Sequence, residues 1–433
     1  MKRFDDDPCE SQEHVPPTDR NSSMLCHSSD GDPNEGDCFR INIKGSHRDN
    51  RAAVVQNKSM HLLSCAMLPR RRFLAQSVWG VAGAVWMTET MGGVGGSVLW
   101  GAQAPSSESE PASFQTQFPA MGSLLRILWE DSGPTRAEAA ERAKGVDREG
   151  RALAEYWNGL LSDYDDESEA SRLSAAADDL QWHPVSEDLG RVLREADRWY
   201  RLSEGAFDAS LGAMTRLRRK RKLPASTDWE RAKESIGWEW VDWDGDRGRL
   251  RFKRPGIRFD FGAIGKGWVA DRIFDLLTGK DLDRCLINFA GNMRIGNPPS
   301  NATGWPVSID ACSRGGATEE PVELVRLSLS QCGISTSGDR WQRLPDARSQ
   351  SRSETSSHIL DPRLGLGLDA PQSITILAPD ATSADAASTA TGVQIHRNAS
   401  HWLERLSESS PDYRWIIQIL RANEIHLMQN SGE

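Results

Sequence analysis

Asp260, Lys266, His358 and Asp385 are the residues whose types and surroundings can do chemistry in this chain. Asp260 and Lys266 flank the turn Gly262-Ala263-Ile264-Gly265-Lys266-Gly267, between an expected strand and an expected helix. Free backbone N–H groups and the helix dipole make such a turn an anion site, and a phosphate suits it. It is not a Walker loop, because the four-residue spacer and the Ser or Thr after Lys are missing. Gly265-x-Gly267-x-x-Ala270 matches the dinucleotide fingerprint literally, but no ribose-binding acid follows at the required distance. Taken alone, Asp260 fits a strand-end carboxylate satisfied by backbone equally well.

Asp385 and Thr389 stand four residues apart in a Ser- and Ala-rich helical stretch, so both oxygens leave one face. Magnesium keeps several waters and takes one or two carboxylates plus substrate phosphates, so this sparse pair suffices if a diphosphate supplies the rest. Spacing alone fits an ordinary helix with a capping or exposed Asp just as well. His358 lies in Ser357-His358-Ile359-Leu360-Asp361-Pro362-Arg363. A His near an Asp can serve as a general base, because its unperturbed pKa lies near neutral pH. Asp361-Pro362 is equally a turn start.

The elements that must position these groups follow from periodicity. Leu124 to Trp129 is a short apolar strand, and Arg136 to Leu161 carries Ala139, Ala143, Val146, Leu153, Trp157 and Leu160 at helical spacing. Ser186 caps a helix whose stripe runs through Leu189, Val192, Leu193, Ala196, Trp199 and Tyr200 and ends before Gly205. Ile257 to Phe261 reads as a strand entering the anion turn, followed by a helix with Val269, Ile273, Phe274 and Leu277, stopped by Gly279. Cys285 to Ile295, Val322 to Leu329 and Ser373 to Ala378 are three further strands. Helices cluster early and strands late, which predicts an α+β fold and not a regular strand-helix alternation.

The 433 residues carry a net charge of −10, so composition offers no electrostatic case for nucleic-acid binding, which relies on clustered Lys and Arg. The basic run Arg216 to Lys222 is the exception, and it lacks the interleaved aromatics of a binding groove. Residues 1–66 are polar and without periodicity, and are expected to be disordered or to precede the true start. In residues 67–104, Arg70-Arg71-Arg72-Phe73-Leu74 leads into a Gly-rich apolar stretch and then Ala102-Gln103-Ala104, the pattern of a twin-arginine export signal. A polar linker follows over 105–113, one working domain over 114–420 and a tail over 421–433. Beyond the signal only Cys285, Cys312 and Cys332 remain, without metal-site spacing.

Eight segments in order resemble the FAD:protein FMN transferase family, also called ApbE. They are Ala120-Met121-Gly122-Ser123, Leu161-Ser162-Asp163-Tyr164 with Ser168 to Leu173, Gly205-Ala206-Phe207-Asp208, and Asp260 to Gly267. Ala290-Gly291-Asn292, Thr336-Ser337-Gly338-Asp339, Ser357 to Pro362, and Ala384-Asp385 through Thr389 complete the set. The resemblance implies a single T-fold-like α+β domain of mixed, largely antiparallel sheets flanked by helices. It implies an FAD site lined by Met121, Tyr164, Ala206, Phe207, Asp208, Asp260, Lys266 and the backbone near Leu360. It implies Mg2+ held by the Ala263 carbonyl, Asp385 and Thr389, with Ser388 adjacent, an all-oxygen set.

The implied reaction is attack by a Thr or Ser hydroxyl of an acceptor protein on the FMN-side phosphorus of FAD, with release of AMP. Lys266 would offset phosphate charge and His358 would take the hydroxyl proton, while Asp385 acts as a ligand before it acts as a base. Two other readings use the same residues: a magnesium-dependent FAD diphosphatase giving AMP and FMN, and a flavin-binding protein without activity. The acceptor is expected to be a periplasmic or membrane redox protein, and this chain exported, periplasmic or tethered to the cell envelope. The atypical basic run reads first as a solvated helix end or loop, and its charge alone suggests a second reading, a docking surface for an acidic acceptor through Arg218, Arg219 and Lys220.

Overall fold

In Leu125-Arg126-Ile127-Leu128-Trp129 the apolar residues bury both faces of one strand, Leu125, Ile127 and Trp129 entering one core and Leu128 another. The same division recurs at Ile287 and Phe289 against Leu286, and at Ile417 and Ile419 against Ile416. Such strands need cover on both sides. A computed structural model describes residues 37–42 and 111–430, except 134, 221–225, 313–321, 339–342, 346–354, 370–371, 400 and 422–423.

The elements begin with β1 (Asp37–Asn42), β2 (Ala112–Ala120), β3 (Ser123–Asp131), α1 (Arg136–Leu161), α2 (Glu169–Ala175), β4 (His183–Pro184), α3 (Glu187–Leu202), α4 (Gly212–Arg219) and α5 (Ser226–Glu234). They continue with β5 (Val241–Asp244), β6 (Arg249–Phe252), α6 (Gly265–Thr278), β7 (Cys285–Phe289), β8 (Asn292–Ile295), β9 (Trp305–Asp310), β10 (Glu323–Leu329) and β11 (Cys332–Gly338). The last are β12 (Arg343–Pro345), β13 (Thr355–Ser357), β14 (Leu360–Asp361), β15 (Leu366–Gly367), β16 (Gln372–Ala378), α7 (Ala381–His396), α8 (Trp402–Ser409), β17 (Arg414–Arg421) and β18 (Glu424–Gln429).

Nine strands form one sheet in the order β1-β18-β17-β16-β11-β8-β7-β3-β2, each neighbouring pair antiparallel. Helices α1, α6 and α7 pack on one face, and the β9–β10 hairpin packs on the other through Trp305, Val307, Ile309 and Leu329. This is the expected α+β class, with antiparallel sheets flanked by helices. Between β3 and β7 the chain leaves the sheet for α1 to α6 and the small sheet β4-β6-β5. Trp157 of α1 meets Trp268 of α6 edge to face, centroids 5.5 Å apart, a geometry worth about 0.5–1.5 kcal/mol beyond burial. Helix starts are capped as their sequences require, Thr135 accepting from Glu138 N–H and Ser186 from Leu189 N–H at 3.2 Å each, about 1 kcal/mol apiece.

Local pattern and structure differ in four places. Ile257 to Phe261 is not a sheet strand: its link is one parallel bridge between Leu211 and Arg258. Ile257, Phe259 and Phe261 alternate because they fill a core with Phe252 and Trp238, not because they join a ladder. Cys285 to Ile295 is a hairpin, turned at Ala290 and Gly291 with φ of 54° and 90°, the left-handed pair that a two-residue turn demands. The tail expected over 421–433 contains β18, paired along β17, so the domain runs past 420. Within 1–66, residues 37–42 form a strand on the free edge of β18, where backbone hydrogen bonds require no side-chain pattern. The rest of 1–66, the export segment 67–104 and most of the 105–113 linker lie outside the described residues. The described residues constitute one compact unit.

Candidate active site

A Cβ on Gly267 would lie 2.3 Å from the Ala381 carbonyl oxygen and 2.9 Å from Asp385 Cβ, so only glycine lets α7 approach α6 this closely. The contact turns the Gly267 N–H onto Asp385 Oδ2 at 3.0 Å. In a regular helix that N–H would bond to the carbonyl four residues back, which is Ala263. The Ala263 carbonyl is thereby left without a donor among the described residues. Asp385 is 3% exposed, and its second oxygen meets no hydrogen-bond donor among the described residues. Burial pushes this carboxyl above its ordinary value, opposed by the Lys266 charge and the Gly267 N–H.

Asp271 of α6 holds the first turn of α7, accepting from Ala381 N–H at 3.0 Å, Thr382 N–H at 2.8 Å and the Thr382 hydroxyl. Burial and the nearby Asp380 charge push Asp271 up to about 6. Behind Asp385 lies a run of hydroxyls. Ser388 is fully buried and bonds to the Asp385 carbonyl at 2.9 Å, Ser337 at 2.7 Å and Ser335 at 3.1 Å. Ser335 in turn donates to Asn292 Oδ1 at 2.6 Å. Thr389 is partly exposed and bonds Ser337 at 3.2 Å. Of the two hydroxyls expected at a metal, Thr389 is thus the less committed.

Asp260 receives the Gly262 N–H at 2.7 Å on one oxygen and the Arg219 guanidinium at 3.2 Å on the other. Arg219 also bonds Asp163 and lies over the Tyr164 ring, 4.1 Å from its centre. Burial and the Asp260 charge push Asp163 up to about 6 against the pull of Arg219. The Lys266 ammonium donates to the Gly262 carbonyl at 2.8 Å. Met121, at φ 44° in the β2–β3 turn, brings its Cε to 3.6 Å from where a Cβ on Gly265 would be. Helix α6 thus starts among Met121, Asp260 and Asp385.

The remaining expected residues stand further back. Ala206, Phe207 and Asp208 are buried, and the Asp208 carboxylate accepts from Ser210 N–H at 2.7 Å, Ser210 Oγ at 2.6 Å and Trp238 N–H at 3.3 Å. Their segment reaches the site through backbone, Asp260 N–H bonding to the Ala209 carbonyl at 2.8 Å. Leu360 packs its side chain with Met214 and Ala232, leaving its backbone, paired to Gly367, as the part that can face a ligand. His358 is partly buried on a segment held by the neighbour of Arg219: Arg218 donates to the Ser357 carbonyl at 2.9 Å and Ser356 Oγ at 2.8 Å. The end of α4 therefore ties the His358 segment and the Asp260 turn together.

Two expectations need correction. Asp361 is not the partner of His358, because it is buried in an ion pair with Arg397, 2.6 Å at the shortest contact. Among the described residues of the basic run, three arginines are committed within the chain and not free in solvent: Arg218 is 5% exposed, Arg219 is bound between two carboxylates, and Arg216 pairs with Asp166 at 3.3 Å. Asp339 and residues 346–354 lie outside the described residues. Arg219, Ser335 and Ser337 were not expected as site residues. Their partners are 41 to 56 residues away in the chain, beyond any local spacing signal.

Oxygens from Asp385, Ala263 and Thr389, beside a lysine and a helix start, can hold a cation between protein and phosphate. The FAD:protein FMN transferase of Haemophilus influenzae is 24% identical over 278 residues, 62% of this chain and 77% of its own length. That of Vibrio cholerae is 25% identical over 284 residues, 64% of this chain and 79% of its own. Among solved structures, the flavin transferase ApbE from Vibrio cholerae superposes with a TM-score of 0.63 at 21% identity, covering 74% of this chain and 98% of that one. The apo flavinyl transferase ApbE of Pseudomonas stutzeri gives 0.60 at 21% identity, covering 75% and 96%. These show a shared fold. The ApbE family model matches residues 121–411, well over half of the sequence, and this chain belongs to the ApbE family.

Proposed function

We propose that this protein is an FAD:protein FMN transferase, joining the FMN part of FAD to a Thr or Ser hydroxyl of an acceptor protein. The observation that carries the reading is the Asp385 to Gly267 hydrogen bond, which leaves the Ala263 carbonyl and one Asp385 oxygen unspent beside Lys266. A buried carboxylate with a single donor is costly unless it takes up a proton or a cation completes it, and the Lys266 charge opposes the proton. Asp385, the Ala263 carbonyl and Thr389 fit Mg2+, a hard ion satisfied by oxygen and content with few protein ligands. When bound, the ion would neutralise diphosphate charge as it shifts toward the leaving AMP. No group of three or more His, Cys, Asp or Glu among the described residues suggests a different metal.

Lys266 adds a positive charge beside the anion turn, and the positive end of the α6 dipole reinforces it, the N–H groups of Ile264 and Gly265 being bonded to the Phe261 carbonyl and that of Gly267 to Asp385. Tyr164 offers an exposed aromatic face to one of the rings of FAD. His358 takes the proton of the acceptor hydroxyl as its oxygen bonds to the FMN-side phosphorus, and the bond from that phosphorus to the AMP oxygen breaks. The acceptor is read as a periplasmic or membrane redox protein, and residues 67–104 as the segment that exports this chain to meet it.

The test is incubation of the purified protein with FAD, Mg2+ and an acceptor, read by intact mass and AMP release. An acceptor gaining one FMN per AMP formed is the expected result. Asp385→Ala should lose both products while keeping the fold. His358→Ala should slow transfer more than it weakens FAD binding. AMP with free FMN and no adduct identifies a hydrolase instead, and FAD left intact rejects both enzymatic readings.

A further inference from the structure

We propose that Arg219 is a positioning residue that presets Tyr164 as a one-faced platform for a planar ring of the substrate, an inference that rests on the flavin reading above. The guanidinium lies 4.1 Å from the centre of the Tyr164 ring. Its two ends are fixed by Asp163 and by Asp260, whose side chains are each 11% exposed. Two nearly buried anions therefore hold the cation against one side of the ring. Tyr164 is still 77% exposed, more than any other large hydrophobic side chain among the described residues. A ring with one side covered and that much exposure has its other side open to solvent.

Arg219 is poorly suited to bind phosphate itself. Two carboxylates already more than balance its charge, so the triad has little positive field to offer an anion. Its use is geometric. A loop tyrosine loses rotamer freedom when a ligand stacks on it, and that cost weakens binding. Contact with a guanidinium orders the ring beforehand. Asp260 also takes the Gly262 N–H at 2.7 Å, so the same arginine references the platform to the anion turn. The ring and phosphate portions of one ligand are thereby set at a fixed separation by a single side chain. Lysine reproduces the charge and lacks the planar fork that spans both carboxylates.

The experiment is FAD fluorescence quenching on the full protein, with steady-state kinetics alongside. The variants are Arg219→Gln, Arg219→Lys, Tyr164→Ala and the Arg219→Gln/Tyr164→Ala pair. Arg219→Gln should raise the FAD Kd and KM by about 3- to 30-fold, with kcat within about twofold of wild type. Arg219→Lys should recover only part of the loss. In the Tyr164→Ala background Arg219→Gln should add less than about twofold, because its effect passes through the ring. An unchanged Kd, or an equal loss in both backgrounds, overturns the proposal. If Arg219→Gln does not fold, wild-type affinity in Arg219→Lys overturns it. Absence of FAD binding by the wild type rejects the flavin reading itself, an outcome distinct from these.

Discussion

Asp361→Asn separates two roles that one carboxylate three residues after a histidine can have. In the structure Asp361 accepts from Arg397 Nη2 at 2.6 Å, from Nε at 3.1 and 3.2 Å, and from Arg363 N–H at 2.9 Å. The side chains of the pair are 3% and 7% exposed. Asparagine would turn an amide donor toward the guanidinium and leave a buried cation uncompensated, a loss of about 3–5 kcal/mol. For a domain of this size that lowers Tm by roughly 10 °C. Burial pushes Asp361 up, but the hydrogen bonds and charge of Arg397 outweigh it and hold the carboxyl below its usual value. A depressed folded pKa gives stability that is complete above the unfolded value of about 3.9 and is lost as pH falls through the folded one. The gap between wild type and variant should therefore be constant from pH 5 to 8 and close below about pH 4. Urea unfolding followed by tryptophan fluorescence measures it, with AMP release in parallel. Adding Arg397→Met to Asp361→Asn should recover part of the loss, since no unpaired charge remains. A stability change under about 1 kcal/mol, joined to a large fall in kcat, would refute the ion-pair assignment and restore Asp361 as the orienter of His358.

Two further outcomes follow from buried groups. Burial raises Asp208 to about 6 despite its bonds to Ser210 and Trp238, so the folded chain holds its proton more tightly than the unfolded chain does. Stability should then fall as pH rises from about 4 to 7, by about 3 kcal/mol at most from this group, and Asp208→Asn should flatten the curve in denaturation series across that range. An unaltered slope in the variant would show that Asp208 is not the group responsible. Gly267→Ala drives a methyl into the Ala381 carbonyl, a backbone atom that cannot step aside, and should cost roughly 1–3 kcal/mol. The same displacement of α7 should cut AMP release about 100-fold. Activity retained at wild-type level would mean that the α6–α7 contact does not set Asp385.

What was legible in the chain is what is local. The stripe from Arg136 to Leu161 and the Ser186 cap report helices directly, because partners three and four residues apart are already present. Asp385 and Thr389 were readable on one helical face for the same reason. Ile257 to Phe261 misled because alternation reports which side is buried and says nothing about whether a neighbouring strand exists. The turn at Ala290 was hidden because alanine takes a left-handed φ there, where glycine or asparagine would have announced it. The Arg219 triad and the Asp361–Arg397 pair join residues 36 to 56 apart, and no periodicity carries such information.

The pairing of β3 with β7 has a consequence in time. Residues 132–284 lie between those two strands, and they include Tyr164, Arg219 and Asp260. A chain emerging from its N-terminus makes one wall of the site long before the sheet that wall rests on. Until β7 arrives, β2 and β3 are an isolated ribbon, marginal in water at best. Closing so long a loop slows folding far more than it weakens the finished structure. Helix α7 comes later still, so Asp385, the buried carboxylate that takes the Gly267 N–H, joins the site after the wall that faces it.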